Sequence, residues 1–250
     1  MGPMKEGVVS APLPASDPSD AEGQPSSDSM ADERLAQVLA AEYGLLTAAL
    51  GAAWSASLTR TSLFLFSLSA SGVALGFAAQ GGVSEGPFRT FALVVLPVVL
   101  FIGVATFVRV VQVQREATVY VTGLNRIRHF MAEAAPDARR FFVLPIYDDQ
   151  IALFRSIGTG MSLQPPRSQI LYLVVQTQGM VGVVTAAVAA AFVGLLVSPV
   201  GDVTAWLVAA LTFVAVVVGL FAYWQRSLRS LQASIRSEFP TPPEEYGAPI

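Results

Sequence analysis

Cysteine is absent, lysine and histidine each occur once, and only 13% of the residues are charged. Without cysteine neither a disulfide framework nor a thiolate metal site is available. The lone imidazole, His129, has no second His at metal-ligand spacing, so no protein zinc site is expected. Gly-rich phosphate loops, the G-x-S-x-G elbow, the kinase signatures and the dinucleotide fingerprint are missing as well. No cofactor and no catalytic constellation are therefore expected. The adjacent acids Asp148 and Asp149 read as helix-capping residues that complement a dipole.

Charge is missing in a patterned way. Residues 61–84, 90–108, 168–201 and 203–225 contain no Asp, Glu, Lys or Arg. A helix needs about 20 apolar residues to cross a hydrocarbon core of roughly 30 Å, and each stretch is near that length or longer. Mean hydropathy is +0.57 and 53% of residues are hydrophobic, where soluble domains carry about a quarter charged residues. The expected fold class is an all-α integral membrane protein with four transmembrane helices, arranged as two hairpins with cytoplasmic helical extensions. The spans are placed at about 62–79, 91–113, 179–197 and 203–224. Gln176 and Gln178 belong at the headgroup level because an unpaired amide in hydrocarbon is costly. Trp206 and the pair Tyr223 and Trp224 mark the two ends of the last span.

The cations give the orientation. Of 15 Lys and Arg, only Arg89 falls in the two short loops or their flanks on one side; the rest precede the first span, lie in the central segment or follow the last span. The positive-inside rule makes that crowded side cytoplasmic, with both termini there. Arg89 sits where its long side chain can reach water. The almost exclusive use of Arg over Lys is the composition of a GC-rich bacterial genome, which makes the bacterial cell (inner) membrane the expected location. No cleavable signal peptide is expected, since residues 1–30 have no apolar core of 7–15 residues.

Residues 1–30 read as a disordered acidic tail rich in Pro and Ser, which cannot offset the entropy of ordering. Residues 31–60 read as an amphipathic helix leading into the first hairpin, 61–113; Leu35, Val38, Leu39, Leu45, Leu46 and Leu50 recur at three- and four-residue spacing. The central cytoplasmic segment, 114–169, should break at Gly123 and resume as an amphipathic helix over Leu124–Ala134 that turns Leu124, Ile127 and Phe130 inward and Asn125 and Arg128 elsewhere. Pro136 should end it, and a short helix capped by Asp148 should follow. Gly158 or Gly160 stops that helix, and Pro165 and Pro166 lead into the second hairpin, 170–224. The tail, 225–250, should stay helical to about residue 239.

Two sets of residues stand out. Small residues recur in the first span at Gly72 and Gly76 and in the third at Gly182, Ala186, Ala190 and Gly194, spacing that lets helix backbones approach. Packing within the chain is the favoured expectation, and homo-oligomerisation the alternative. Arg126, Arg128, Arg139 and Arg140 form the candidate cytoplasmic interface, with Phe141 and Phe142 beside them suited to anionic lipid. Acids interrupt these cations and no nucleic-acid module is present, so nucleic acid is not an expected partner. The expected role is a non-enzymatic structural or accessory protein, with the lipid bilayer and a cytoplasmic protein as partners; an oligomeric pore or permease subunit is the alternative.

Overall fold

Long apolar runs continue as helix far beyond the lengths needed to span a bilayer, even through Pro97. In a computed structural model, residues 27–81, 84–156, 176–234 and 236–245 are described. Of the tail expected over 1–30, residues 1–26 lie outside them, as do Gly158, Gly160, Pro165 and Pro166. The chain is all-α, with no strand among the described residues: α1 Ser27–Gln80, α2 Glu85–Ala134, the short α3 Gln150–Ser156, α4 Thr177–Val197 and α5 Asp202–Ser234. Four of these, α1, α2, α4 and α5, are long and apolar enough to cross a membrane. The chain divides after Ala41 into two units, and the interhelical contacts named below all lie within Glu42–Ile250.

Glycines and aromatics set the helix register. A Cβ at Gly103 would lie 3.0 Å from Phe64, and one at Gly123 would lie 3.0 Å from Leu46. Rising numbers on α1 thus meet falling numbers on α2. Gly182 of α4 faces Phe107 of α2 at 3.1 Å, Gly194 of α4 faces Ala209 of α5 at 3.2 Å, and Gly182 lies 3.8 Å from Leu220. Each consecutive pair of long helices therefore runs antiparallel. Gly201, with φ 146°, makes the turn between α4 and α5 after a 3-10 turn over Ser198–Val200; few side chains tolerate that backbone.

Two apolar clusters are buried among the described residues, a smaller one of Ala132, Ile146, Tyr147 and Ala152 and a seam between the long helices. Phe64, Val99, Phe107, Val111, Val181, Val188 and Trp224 are buried together, with Leu65, Leu220 and Leu228 packed on them. Where lipid surrounds helices, such seams hold by dispersion and close fit, because lipid tails are as apolar as leucine. The outer faces are correspondingly apolar: Phe66, Phe77, Phe101, Trp206 and Leu211 are exposed. Polar links close both ends. The indole N–H of Trp224 donates to Gln114 Oε1 at 3.0 Å, and the Arg89 guanidinium donates to the Leu196 carbonyl at 3.4 Å.

Three local expectations change. Helix α2 does not break at Gly123, because that glycine is used for close approach of Leu46 rather than for a turn. Trp224 turns inward to the seam, while Trp206 and Tyr223 stay exposed. Helix α5 ends at Ser234, short of residue 239, and the chain then runs without helix through residues 236–242.

Candidate functional site

The end of α2 beyond the apolar seam carries a polar cluster that the apolar periodicity hides. Asn125 is fully buried. Its amide donates to the Tyr147 carbonyl at 2.8 Å and to Ser156 Oγ at 3.1 Å, and its Oδ1 accepts from Arg128 at 2.7 Å. Arg128 also donates to the Tyr43 hydroxyl of α1 at 3.1 Å, with its guanidinium 5.5 Å from the centre of that ring. A buried amide and guanidinium are tolerated only when their donors and acceptors are matched. Here one pair of side chains on α2 ties α1, α2, α3 and the segment before α3 together. Helical spacing places Asn125 and Arg128 on one face, away from the stripe that apolar periodicity alone turns inward.

The second half of the cluster captures the chain end. Asp148 is 1% exposed. Its Oδ1 accepts from Ser237 Oγ at 2.7 Å and from the Phe239 N–H at 2.9 Å; its Oδ2 accepts from the Glu238 N–H at 3.0 Å and from Arg126 Nε at 2.8 Å. The Asp148 N–H in turn donates to the Phe239 carbonyl at 3.1 Å. Arg126 also touches the chain end twice itself, donating to the Arg236 carbonyl at 2.8 Å and standing 3.4 Å from Glu238. Asp149 takes the capping role expected of Asp148: its Oδ1 accepts from the Ala152 N–H at 2.9 Å. It also accepts from the N–H and hydroxyl of Thr241 at 3.0 and 2.9 Å. Two adjacent carboxylates, one capping α3 and one not, thus clamp residues 237–241 as a non-helical strap. Phe239 stacks on His129 with ring centres 4.2 Å apart, and Tyr147 flanks the same imidazole at 5.8 Å.

The remaining sequence candidates separate cleanly. Arg126 and Arg128 turn into this cluster, Arg139 donates to the Tyr147 hydroxyl at 2.9 Å, and Arg140 lies over the Phe141 ring at 4.9 Å. At least three of the four interface arginines are therefore engaged with their own chain. Gly182, Ala186 and Gly194 pack within the molecule, and Ala190 is half-buried. At Gly72 and Gly76 nothing lies within 4 Å of an added Cβ, so these two do not pack within the described chain. Gly103 was not among the candidates, yet it makes the tightest approach: a Cβ there would sit 2.7 Å from Thr185 Oγ1. No protein-family model, no curated protein and no solved structure matches this chain.

Burial raises the Asp148 carboxyl, but hydrogen bonds from Glu238, Ser237, Phe239 and Arg126 stabilise the charged form and win, holding it below 3.8. The folded value lies below the unfolded one, so the clamp's contribution is complete above 3.8 and is lost as pH falls through the folded value. With no native cysteine, a fluorophore on Glu244→Cys can report strap mobility. Its anisotropy should stay level from about pH 7 to about pH 5 and fall only below about pH 4. A fall that begins above about pH 5 would remove Asp148 as the latch.

Proposed function

We propose that this chain is a multi-pass protein of a bacterial cell membrane, with α1–α2 and α4–α5 as two transmembrane hairpins and both termini cytoplasmic. Its role in this reading is non-enzymatic: an accessory protein that holds a rigid cytoplasmic module against a protein partner. The one-sided cations and the antiparallel registers support the topology. Cations in segments 109–155 and 226–236 then lie together, and Arg89 lies with the α4–α5 turn.

One observation carries the role. Helix α2 runs unbroken to Ala134, which at 1.5 Å per residue is roughly 30 Å past Val113, the inner limit of its span. Just beyond it Phe141 and Val143 are 71% and 78% exposed, with Leu144 exposed beside them. That distance argues against the lipid docking expected for Arg139–Phe142. An apolar patch in water away from the bilayer is a binding surface, and the Asn125 and Asp148 clusters fix the module that presents it.

Photo-crosslinking residues at Phe141 and Val143 should trap a discrete protein adduct in cells, while a control at Val203 should not. The purified protein in liposomes should pass no solute. Solute flux without an adduct would overturn the reading in favour of a pore. A periplasm-dependent reporter at the C-terminus should be silent, and activity there would invert the topology.

A further inference from the structure

Between α4 and α5 lies an open groove of about 640 Å³, within the roughly 300–1,000 Å³ of small-ligand sites. It exists because small side chains face each other: Ala190 and Gly194 on α4, Ala205 and Ala209 on α5. It extends from Ser198 and Asp202, at the turn between the helices, to Ala187 and Phe213, near the middle of both apolar runs. From Ala187 to Ser198 the helix rises roughly 16 Å, about half of a hydrocarbon core of roughly 30 Å. The groove is therefore one leaflet deep, the reach of one lipid chain.

The charged side chain in the groove's own lining is a carboxylate. Asp202 lines the mouth with Ser198 and Trp206, and no ion pair among the described residues involves Asp202. A carboxylate at headgroup depth repels phospholipids of net negative charge and attracts an ammonium. Trp206 stands at the level where indoles favour the interface. A second copy of the chain suits the groove poorly. The cation it could offer at this end is Arg89, whose guanidinium already donates to its own Leu196 carbonyl.

We propose that this groove is a binding site for a membrane lipid with an ammonium headgroup, the acyl chain lying along Ala190 and Gly194 and the ammonium beside Asp202. The proposal rests on the helices crossing a bilayer, but not on which terminus faces which side.

The probe is a vesicle of equal parts ethanolamine-headgroup and glycerol-headgroup phospholipids with identical chains. Protein retained after an alkaline wash is extracted in mild detergent, and bound lipid is counted by native mass spectrometry. Wild type should keep the ethanolamine lipid over the glycerol lipid by about 5-fold, the scale of one partly exposed ion pair. Asp202→Asn should bring that ratio close to one without changing the total lipid. Ala190→Phe, which fills the trough, should lower the total; the Asn variant keeps the test intact should the Phe variant fail to fold. Equal retention by wild type, or an unchanged ratio in Asp202→Asn, overturns the proposal. A dimer mass lost on Ala190→Phe would assign the groove to a second copy and overturn it too. Loss of protein in the alkaline wash would instead refute the membrane reading itself.

Discussion

Replacing Asp148 with Ala is expected to free the C-terminal strap. The substitution removes the acceptor shared by four donors and leaves the Ser237 hydroxyl, the N–H groups of Glu238 and Phe239 and Arg126 Nε without their partner. Breaking a buried charge pair costs about 3–5 kcal/mol. Arg126 is a third exposed, which places this case near the lower end, about 3 kcal/mol. Strap opening should then become roughly 100-fold more frequent. Trypsin cleavage after Arg236, whose carbonyl is held by Arg126, reports it directly. Asp148→Asn keeps an acceptor and loses the charge, so it should fall between wild type and Ala. Equal cleavage rates for all three proteins would remove Asp148 as the anchor. Should the patch at Phe141 bind a partner, strap release should weaken that adduct only if the module loosens with it, which separates clamp from contact.

Gly103→Leu is expected to be the most damaging substitution in the helix seam. The first carbon of any side chain there would sit 2.7 Å from Thr185 Oγ1 and 3.0 Å from Phe64, and both residues are fully buried. Thr185 cannot readily retreat, since its hydroxyl donates to the Val181 carbonyl at 2.7 Å. Overpacking of this kind costs typically 1–3 kcal/mol. Gly72→Leu and Gly76→Leu should go the other way. Open space surrounds both positions, and replacing Gly by a better helix former gains up to about 1 kcal/mol. Thermal melting of the detergent-solubilised monomer should rank Gly72→Leu at or above wild type and Gly103→Leu well below it. Equal losses would mean that α1 packs on that face as tightly as α2 does on its own. A change in oligomeric size with an unchanged melt would turn the open face of α1 toward a second copy.

The small-residue stripes show why spacing alone was an incomplete guide. Glycines four apart in α1 and in α4 look alike in sequence, because the spacing states only that a close approach is geometrically allowed. Gly182 and Gly194 have neighbours across the interface, and Gly72 and Gly76 have none within 4 Å. Gly103 carries no such pattern, yet it sits where α1, α2 and α4 converge. Its role depends on Phe64 and Thr185, residues far away in the chain.

The polar cluster was hidden for a different reason. Leu124 and Ile127 are buried as expected while Phe130 is exposed, and a scheme that sorts residues by polarity turns Asn125 and Arg128 away from the apolar face. Burial of a polar group is decided by whether a matching partner exists, and the partners of Asn125 are supplied by Tyr147 and Ser156. The clue available in advance was an Asn inside a helical run, where its propensity is poor and no cap was needed.

Composition and spacing alone determined that the chain is helical and that four helices are long and apolar enough to cross a membrane, because absence of charge over such lengths is a property of each segment by itself. They also determined that 14 of the 15 cations lie before the first uncharged run, between the second and third, or after the fourth. Tertiary structure decided which glycines touch, that Asp148 anchors the chain end while Asp149 caps, and that Arg126, Arg128 and Arg139 bond to their own chain. Close contacts and matched hydrogen bonds are properties of pairs, and a pair exists only once folding has brought its members together.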